Sequence, residues 1–324
     1  MKMQGVGSKF LKLTVGLSIP LILFAALRLC LYFLDVYWLA ESQALTFFVS
    51  EVGILLFMSV ALSLNLRCER FDFSLGAVAI LSPLLALGIF SGAGIYAAVL
   101  TAAFFGGLLG LISGGAQMLT RLPPAFCSLG LCIIYEGLGY ICSRAGERKY
   151  YFLGERDGVV RFFIISVILL LVFLRFLMRK TLFGYNYRAI SQDENICRRA
   201  GVGVELNKLF TYILSGALMG IVGIMIYMRE GESMGASLNF SSVRVLFFGL
   251  LPLFVGRLLS RYLGEFAGDF FGAVSGAMIY SAMLAAGFSE DIGIVISAAL
   301  LLLLLIYLSR GRRFFDRIHT KHRT

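Results

Sequence analysis

Charged residues are scarce in this chain of 324 residues. Asp, Glu, Lys and Arg make up 15% of it, against about 25% in ordinary soluble domains. Hydrophobic residues make up 59%, and the mean hydropathy is +0.87. A water-soluble core of this size could not hide so much apolar surface, whereas a lipid bilayer can. The composition therefore excludes an ordinary soluble domain and predicts an integral membrane protein.

The sequence also lacks the common signatures of enzymes. It contains no G-x-x-x-x-G-K-[ST] P-loop, no G-x-S-x-G elbow and no H-E-x-x-H. Both of its histidines, His319 and His322, lie in the basic C-terminal segment, and no C-x-x-C pair occurs among the six cysteines. We therefore expect no catalytic residues, no metal, no disulfide and no cofactor held by this chain. A membrane-bound enzyme is disfavoured because no nucleophile lies near a candidate base.

Long apolar runs are what the chain does have. They are continuous, as in residues 164–176 and 293–308, whereas a membrane barrel shows short alternating segments. The sequence therefore predicts an all-α, polytopic membrane bundle of about ten transmembrane helices, including a retained first helix. The predicted spans are residues 11–34, 44–66, 73–91, 95–119, 125–143, 162–178, 208–228, 242–256, 264–287 and 292–309.

Two regions interrupt this regular pattern. The third and eighth spans are short, and they carry Pro83 and Pro252 in Gly-rich stretches. We therefore expect short or broken helices near residues 66–91 and 242–272, where protein or water must cover the irregular backbone.

Ten spans place both termini on the same side of the membrane. With cytoplasmic termini, 20 Lys and Arg fall inside and six outside, as the positive-inside rule requires. The net charge of +10 is thus attributed to topology, and no nucleic-acid partner is expected. The basic outer loop 144–161 is an exception to the rule. We expect one membrane domain over residues 1–324, with an inner loop at 179–207 and a basic cytoplasmic tail at 310–324.

Five spans in each half imply that the two halves are inverted relative to each other. A weak echo between residues 72–78 and 269–274 fits such a repeat, although chance could also produce it. Small residues at four-residue spacing predict closely packed helices. They are Gly106, Gly110 and Gly114; Gly216 and Gly220; and Gly264, Gly268, Gly272 and Gly276.

The inner loop 179–207 carries charges of both signs. Ser191 or Asp193 is a suitable cap for a short helix that runs to about Ala200 and ends at Gly201. From the residues alone, two readings stay open: a solvated connector, or a docking helix for a cytoplasmic partner.

Four stretches resemble the motifs of one transport family, in the same order and with similar spacing. The chain resembles, over roughly residues 45–310, the permease subunits of ATP-binding cassette (ABC) importers for simple sugars of the ribose/xylose/arabinose type. This type lies within the larger branched-chain amino acid permease group. The Asp72-x-Ser74 form is typical of the sugar branch. The stretches are Phe71-Asp72-Phe73-Ser74-Leu75-Gly76; Arg121 to Phe126 with Leu129-Gly130 and Gly137-Leu138; Phe183-Gly184 with Arg188-Ala189-Ile190 and Arg198 to Val202; and Tyr212 to Gly223.

The resemblance implies a permease subunit in the bacterial cytoplasmic membrane that moves a simple sugar or similar small polar solute into the cell. It implies a cytoplasmic ABC ATPase that uses the ATP, a second permease subunit (identical or different) and an extracytoplasmic substrate-binding protein. It also implies that residues 189–202 couple the chain to the ATPase. The expected coupling residues are Ser191, Gln192, Asp193, Glu194, Asn195, Arg198, Arg199 and Gly201.

A translocation path is expected along residues 66–76 and 256–272. Sugars require hydrogen-bond partners and aromatic faces more than charges. The candidates are Asn65, Phe71, Asp72, Phe73, Ser74, Gly76 and Phe270, and ordinary helix packing is the alternative for each.

The chain departs from the family pattern in three places. Ser191-Gln192-Asp193 replaces G-G-N, Arg67-Cys68-Glu69-Arg70 stands where apolar residues and glycines are usual, and 256–261 replaces G-G-T-S-L-S-G-G. These departures are compatible with a heterodimer or an altered substrate. Two alternative functions remain: a stand-alone secondary transporter or channel, and an ABC permease for nucleosides or branched-chain amino acids.

Overall fold

The computed structural model describes residues 4–33, 42–89, 95–120, 122–145, 156–230 and 240–321. Within these ranges the chain forms twelve α-helices and no strand, so the predicted all-α class is confirmed. The helices are α1 (Gln4–Phe33), α2 (Ser42–Leu66), α3 (Ser74–Ile89), α4 (Ile95–Thr120), α5 (Pro124–Ala145), α6 (Arg156–Lys180), α7 (Leu182–Ile190), α8 (Glu194–Arg199), α9 (Val204–Glu230), α10 (Ser241–Leu263), α11 (Glu265–Ala285) and α12 (Glu290–Lys321).

Each of the ten predicted spans coincides with one of these helices, and α7 and α8 lie between the sixth and seventh spans. Seven helices of the described chain are long and apolar enough to cross a membrane, and the apolar segments Ser74–Gly88 and Ile292–Tyr307 are shorter. The remaining span is α11, whose first turns carry Glu265 and Asp269. The polytopic helical bundle is therefore confirmed.

The two interrupted regions differ from each other. As expected, α3 is short, at 16 residues. No break occurs at either proline, because α3 continues through Pro83 and the 23-residue α10 continues through Pro252. In a bundle, neighbouring helices compensate for the backbone hydrogen bond that proline removes. The helical structure instead stops at Gly264, whose φ of 88° lies in the region that favours glycine.

Residues 39–249 form one compact unit, which contains α2 to α9 and the first part of α10. Its core is α2, which is buried on all sides over residues 51–65 because α6 and α9 both pack on it. The outer helices expose their large apolar side chains, as at Leu169 (66% exposed) and Phe176 (60%) in α6. Exposed apolar faces of this extent are suited to lipid contact.

The most extensive helix packing in this unit joins α4 and α9. A Cβ atom placed on Gly110 would lie 2.2 Å from the carbonyl oxygen of Tyr212, and one on Gly216 would lie 2.3 Å from that of Gly106. These distances leave no room for a side chain, so the two backbones touch directly. The prediction that small residues permit close packing is confirmed for this pair.

Residues 1–38 and 250–324 form the other unit, with α1, the rest of α10, α11 and α12. Here Gly268 and Gly272 of α11 pack against the backbone of α10 at Ser260 and Gly256, where an added Cβ would approach to 2.6 Å. Helix α12 continues to Lys321, so most of the predicted tail extends this helix.

Three predictions stay open. The single domain and the inverted five-helix halves remain predictions. The two similar sequence stretches, 72–78 and 269–274, lie at different positions relative to their helices. Asp72 precedes α3, whereas Asp269 lies one turn inside α11. The basic outer loop falls largely on residues 146–155, outside the described residues.

Candidate functional site

The inner loop folds as two short helices, α7 and α8. Thr181 caps α7 by accepting a hydrogen bond from the Gly184 amide, and Asp193 caps α8 by accepting one from the Ile196 amide at 2.9 Å. After α8, Gly201 adopts a φ of 77°. The predicted short helix, its Asp193 cap and its Gly201 end are confirmed, since Ser, Asp and Gly are favoured at such positions for steric and hydrogen-bonding reasons.

Sequence reasoning missed α7. Its signal was present: a threonine cap is followed by Phe183, Tyr187 and Ile190 at helical spacing. The segment is too short to bury an apolar stripe of its own, so only its packing on the bundle stabilises it.

The α7–α8 segment is held firmly on the bundle. The buried Tyr187 hydroxyl donates to the carbonyl oxygen of Leu64 at the end of α2, over 2.9 Å. Asn207 of α9 donates to the Phe183 carbonyl at 3.1 Å. Ile190, Cys197 and Val204 form a small buried apolar cluster beneath both helices. The α7–α8 segment is therefore joined to both α2 and α9 by side-chain to backbone hydrogen bonds.

The outer face of the segment is open. Ile196 is 65% exposed and Tyr185 is 72% exposed, and neither was among the predicted coupling residues because only polar positions were considered. Two predicted coupling residues, Ser191 and Glu194, are only partly exposed. The predicted coupling residues that are exposed are Gln192, Asp193, Asn195, Arg198, Arg199 and Gly201.

Glu194 points inward and joins three cations. Its carboxylate lies 2.6 Å from Lys208 of α9, 3.1 Å from Arg198 of α8 and 3.3 Å from Arg70 of the α2–α3 loop (residues 67–73). Desolvation opposes its ionisation, but the hydrogen bonds from Lys208 and Arg198 outweigh this and lower the pKa of Glu194. Glu205 completes the network through Arg198 at 2.6 Å.

A cavity of about 790 Å³ opens beside this network. Its wall combines Arg70, Glu194 and Lys208 with Gln117 and Tyr212. The Tyr212 hydroxyl donates to the side-chain amide oxygen Oε1 of Gln117. The wall thus joins the α2–α3 loop, α4, α8 and α9 around one polar space.

The residues predicted to line the path cluster at the start of α3. Asp72 is buried, and its Oδ1 accepts from the Ser74 amide at 2.9 Å and from the Ser74 hydroxyl at 2.7 Å. The chain of hydroxyls continues from Ser74 to Ser113 and Tyr135, each step 3.1 Å. The Asp72-x-Ser74 motif therefore has a local structural role, because it begins α3 and ties it to α4 and α5.

Burial raises the pKa of Asp72 to about 6, against the opposing effect of its hydrogen bonds from Ser74. Its Oδ2 and the Oδ1 of the equally buried Asn65 have no hydrogen-bond partner, while the Asn65 amide donates to Ser215 at 3.1 Å. Phe71 and Phe73 are only half-buried, and their rings meet edge to face at 4.7 Å. These two aromatic residues are the accessible members of the cluster.

The last two predicted path residues are placed differently. Gly76 packs against the start of α10, where an added Cβ would lie 2.0 Å from the Ser242 carbonyl oxygen. Phe270 belongs to α11 in the other compact unit and contacts Phe271 edge to face. The cluster also contains Ser113, Ser128, Tyr135 and Ser215, which sequence reasoning missed because single hydroxyls in apolar helices carry no motif.

Two acids of the predicted spans are satisfied within the bundle. Glu51 of α2 pairs with Arg229 of α9, and Glu136 of α5 accepts hydrogen bonds from Ser241 and Ser242 at 3.2 Å each. In the part of the chain that the structure describes, no three His, Cys, Asp or Glu side chains gather where a metal ion could bind.

Comparison with known proteins places these features in a family. Residues 44–306 match the family described as the branched-chain amino acid transport system permease component, and the chain belongs to this family. It is a multi-pass membrane permease component and not an enzyme. The resemblance found in its motifs is thereby confirmed.

Three curated permease proteins share about a quarter of their aligned residues with this chain. The fructose import permease protein FrcC of Rhizobium meliloti is 24% identical over 246 residues, which are 67% of this chain and 66% of FrcC. The L-arabinose ABC transporter permease protein AraH of Azospirillum brasilense is 26% identical, over 70% of this chain and 69% of AraH. The autoinducer 2 import system permease protein LsrC of Escherichia coli is 24% identical, over 69% and 68%. The chain spans about two thirds of the length of these relatives.

Proposed function

We propose that this chain is the membrane subunit of an ABC importer that moves a simple sugar, or a similar small polar solute, into the cell. The family supports the permease role, and the names of relatives that import fructose and L-arabinose support the solute class. The observation that carries the proposal is the α7–α8 segment, a capped and exposed helical pair anchored on two core helices.

In this proposal α8 docks into a cytoplasmic ATPase. The exposed surface of α8 and of the turn before it combines the apolar Ile196 with the polar Gln192, Asn195 and Arg199. An exposed apolar residue ringed by polar ones is the usual composition of an interface centre. Chemical energy comes from ATP bound by the partner. The chain itself supplies the surface that receives the motion.

The path for the solute lies near the start of α3. Phe71 and Phe73 offer aromatic faces to a sugar ring, because they are half-buried while Asp72 and Ser74 are fixed within the bundle. Asn65 and Gly76 complete the proposed set in this unit, and Phe270 stays a separate candidate in the other unit. An extracytoplasmic binding protein delivers the solute, and a second permease subunit, identical or different, forms the other half of the transporter.

The orientation follows from the same proposal. The α7–α8 segment faces the cytoplasm, which places both termini on that side of the bacterial cytoplasmic membrane. The predicted excess of Lys and Arg on this side supports the assignment.

Co-purification tests the docking. An affinity-tagged chain, extracted in mild detergent from its native host, is expected to bring one ATPase with it. Ile196→Glu buries a charge at the interface and should weaken this association by about 30-fold or more, the effect of losing an interface hot spot. Leu206→Glu is the control, since Leu206 is equally exposed but lies on α9. A chain that purifies alone and still transports solute in proteoliposomes would instead be a secondary transporter or channel.

Uptake by a strain that lacks the chain tests the solute class. Loss of uptake for one or more labelled monosaccharides, with branched-chain amino acids and nucleosides unaffected, is the expected result. Selective loss of amino acid uptake would favour the substrate named in the family description.

A further inference from the structure

The α2–α3 loop has an unusual backbone and an unusual side chain at its centre. The amides of Cys68 and Arg70 donate to the Asn65 carbonyl, so the chain turns back tightly at the end of α2. Glu69 in this turn has a φ of 58°, a conformation that side chains other than glycine adopt only at a cost. The turn directs Arg70 into the protein, where its side chain is only 6% exposed.

Arg70 meets α8 at Glu194. Its Nη2 donates to Glu194 Oε2 at 3.3 Å, across 124 positions of sequence, and its Nη1 is buried without a partner. A buried guanidinium requires a counter-charge, because leaving it unpaired is strongly unfavourable. Glu194 therefore constrains the position of Arg70, and Arg70 constrains the loop that carries Phe71, Asp72 and Phe73.

The other two cations that bind Glu194 lie on α9 and on α8, so Arg70 is the partner that links Glu194 to the α2–α3 loop. Lys208 is on α9, which is fixed in the core, and Arg198 is on α8 itself and is 56% exposed. Arg70 alone among these three cations lies in the α2–α3 loop. A displacement of α8 changes the distance from Glu194 to Arg70, and the loop must follow or lose its buried counter-charge.

We propose that the Arg70–Glu194 ion pair transmits the motion of α8 to the α2–α3 loop, with both side chains acting as positioning residues. The inference rests on the proposed function, since it requires an ATPase that moves α8. It assigns a role to the Arg67–Arg70 stretch, whose charged residues depart from the family pattern.

The test uses the whole transporter, with its ATPase and binding protein, reconstituted in proteoliposomes. Arg70→Gln and Glu194→Gln each remove one charge of the pair. Each variant should lower the solute moved per ATP by about tenfold, within the range of allosteric coupling. Arg70→Gln, which lies in the α2–α3 loop and not among the coupling residues, should also keep ATP hydrolysis within about twofold. The double variant should be no worse than the poorer single one, because both remove the same link. Glu205→Gln is the control, since Glu205 joins the same network through Arg198 at 2.6 Å and Lys208 at 3.5 Å and pairs with these two cations rather than with Arg70.

Hydrogen exchange provides a readout that a purely structural role would not change. In the wild-type complex, a non-hydrolysable ATP analogue should alter exchange in both α8 and residues 67–73. In either single variant, the change should persist in α8 and disappear from the loop. If Arg70→Gln does not assemble, Arg70→Lys keeps the charge but not the two-pronged guanidinium, and an intermediate loss of coupling is expected.

Additive losses in the double variant, or a loop response that survives in both single variants, would overturn the proposal. A wild-type chain without an ATPase, or without any nucleotide response in α8, would overturn the proposed function instead.

Discussion

The contact between α4 and α9 gives the sharpest prediction about stability. Gly110→Ala adds a single methyl group whose carbon would lie 2.2 Å from the Tyr212 carbonyl oxygen and 3.3 Å from the Gly216 Cα. Both neighbours are backbone atoms, so no side chain can rotate away. The helices must separate by about 1 Å to restore ordinary contact at this point.

Two effects of opposite sign set the magnitude. Inserting a methyl group into a well-packed contact costs about 1–3 kcal/mol. Alanine favours the helix over glycine by about 1 kcal/mol, which offsets part of this cost. Gly115, also in α4, has no atom within 4 Å of its hypothetical Cβ, so Gly115→Ala shows the helix effect alone. The difference between the two variants therefore isolates the packing cost, and it should be about 1–3 kcal/mol.

Thermal unfolding in one detergent, followed by circular dichroism at one scan rate, measures this difference. Gly115→Ala should melt at or above the wild-type midpoint, and Gly110→Ala several degrees below it. Equal midpoints for the two alanine variants would refute direct backbone contact between α4 and α9.

Three further predictions concern the α7–α8 segment and the α2–α3 loop. Asp193→Ala removes the α8 cap and should cost about 1 kcal/mol locally, seen as faster hydrogen exchange at the Ile196 amide, whereas Gln192→Ala should leave that amide unchanged. Glu69→Gly relieves a φ of 58° and should stabilise the chain by up to about 1 kcal/mol in thermal unfolding; destabilisation would show that the Glu69 side chain contributes more than its backbone costs. Because folding lowers the pKa of Glu194, the stability it adds is complete above its ordinary value of 4.5 and is lost as the pH falls through the folded value. The difference in unfolding midpoint between wild type and Glu194→Gln should therefore be constant near pH 7 and shrink as the pH falls below 4.5, and a difference that grows on acidification contradicts the ion-pair network.

Local sequence determined the features that depend on neighbouring residues. Continuous apolar runs predicted a helix at each of the ten spans, because a bilayer requires each span to satisfy its own backbone. Several helices extend past the predicted limits, as α12 does to Lys321. The cap at Asp193 and the end at Gly201 follow from side-chain and φ preferences that act over one turn. The glycines at four-residue spacing predicted close packing for the same reason, since helical geometry places them on one face.

Tertiary structure decided everything that joins distant segments. The sequence alone did not show that α10 continues through Pro252, where its backbone packs against Gly272 of α11. Arg70 and Glu194 lie 124 positions apart, and Tyr187 and Leu64 lie 123 apart, so no periodicity relates them. A charge or hydroxyl near a helix end reaches whichever element packs beside it. The sequence therefore determined that this chain is a helical membrane permease. Only the packing of its helices decided how the α7–α8 segment is joined to the start of α3.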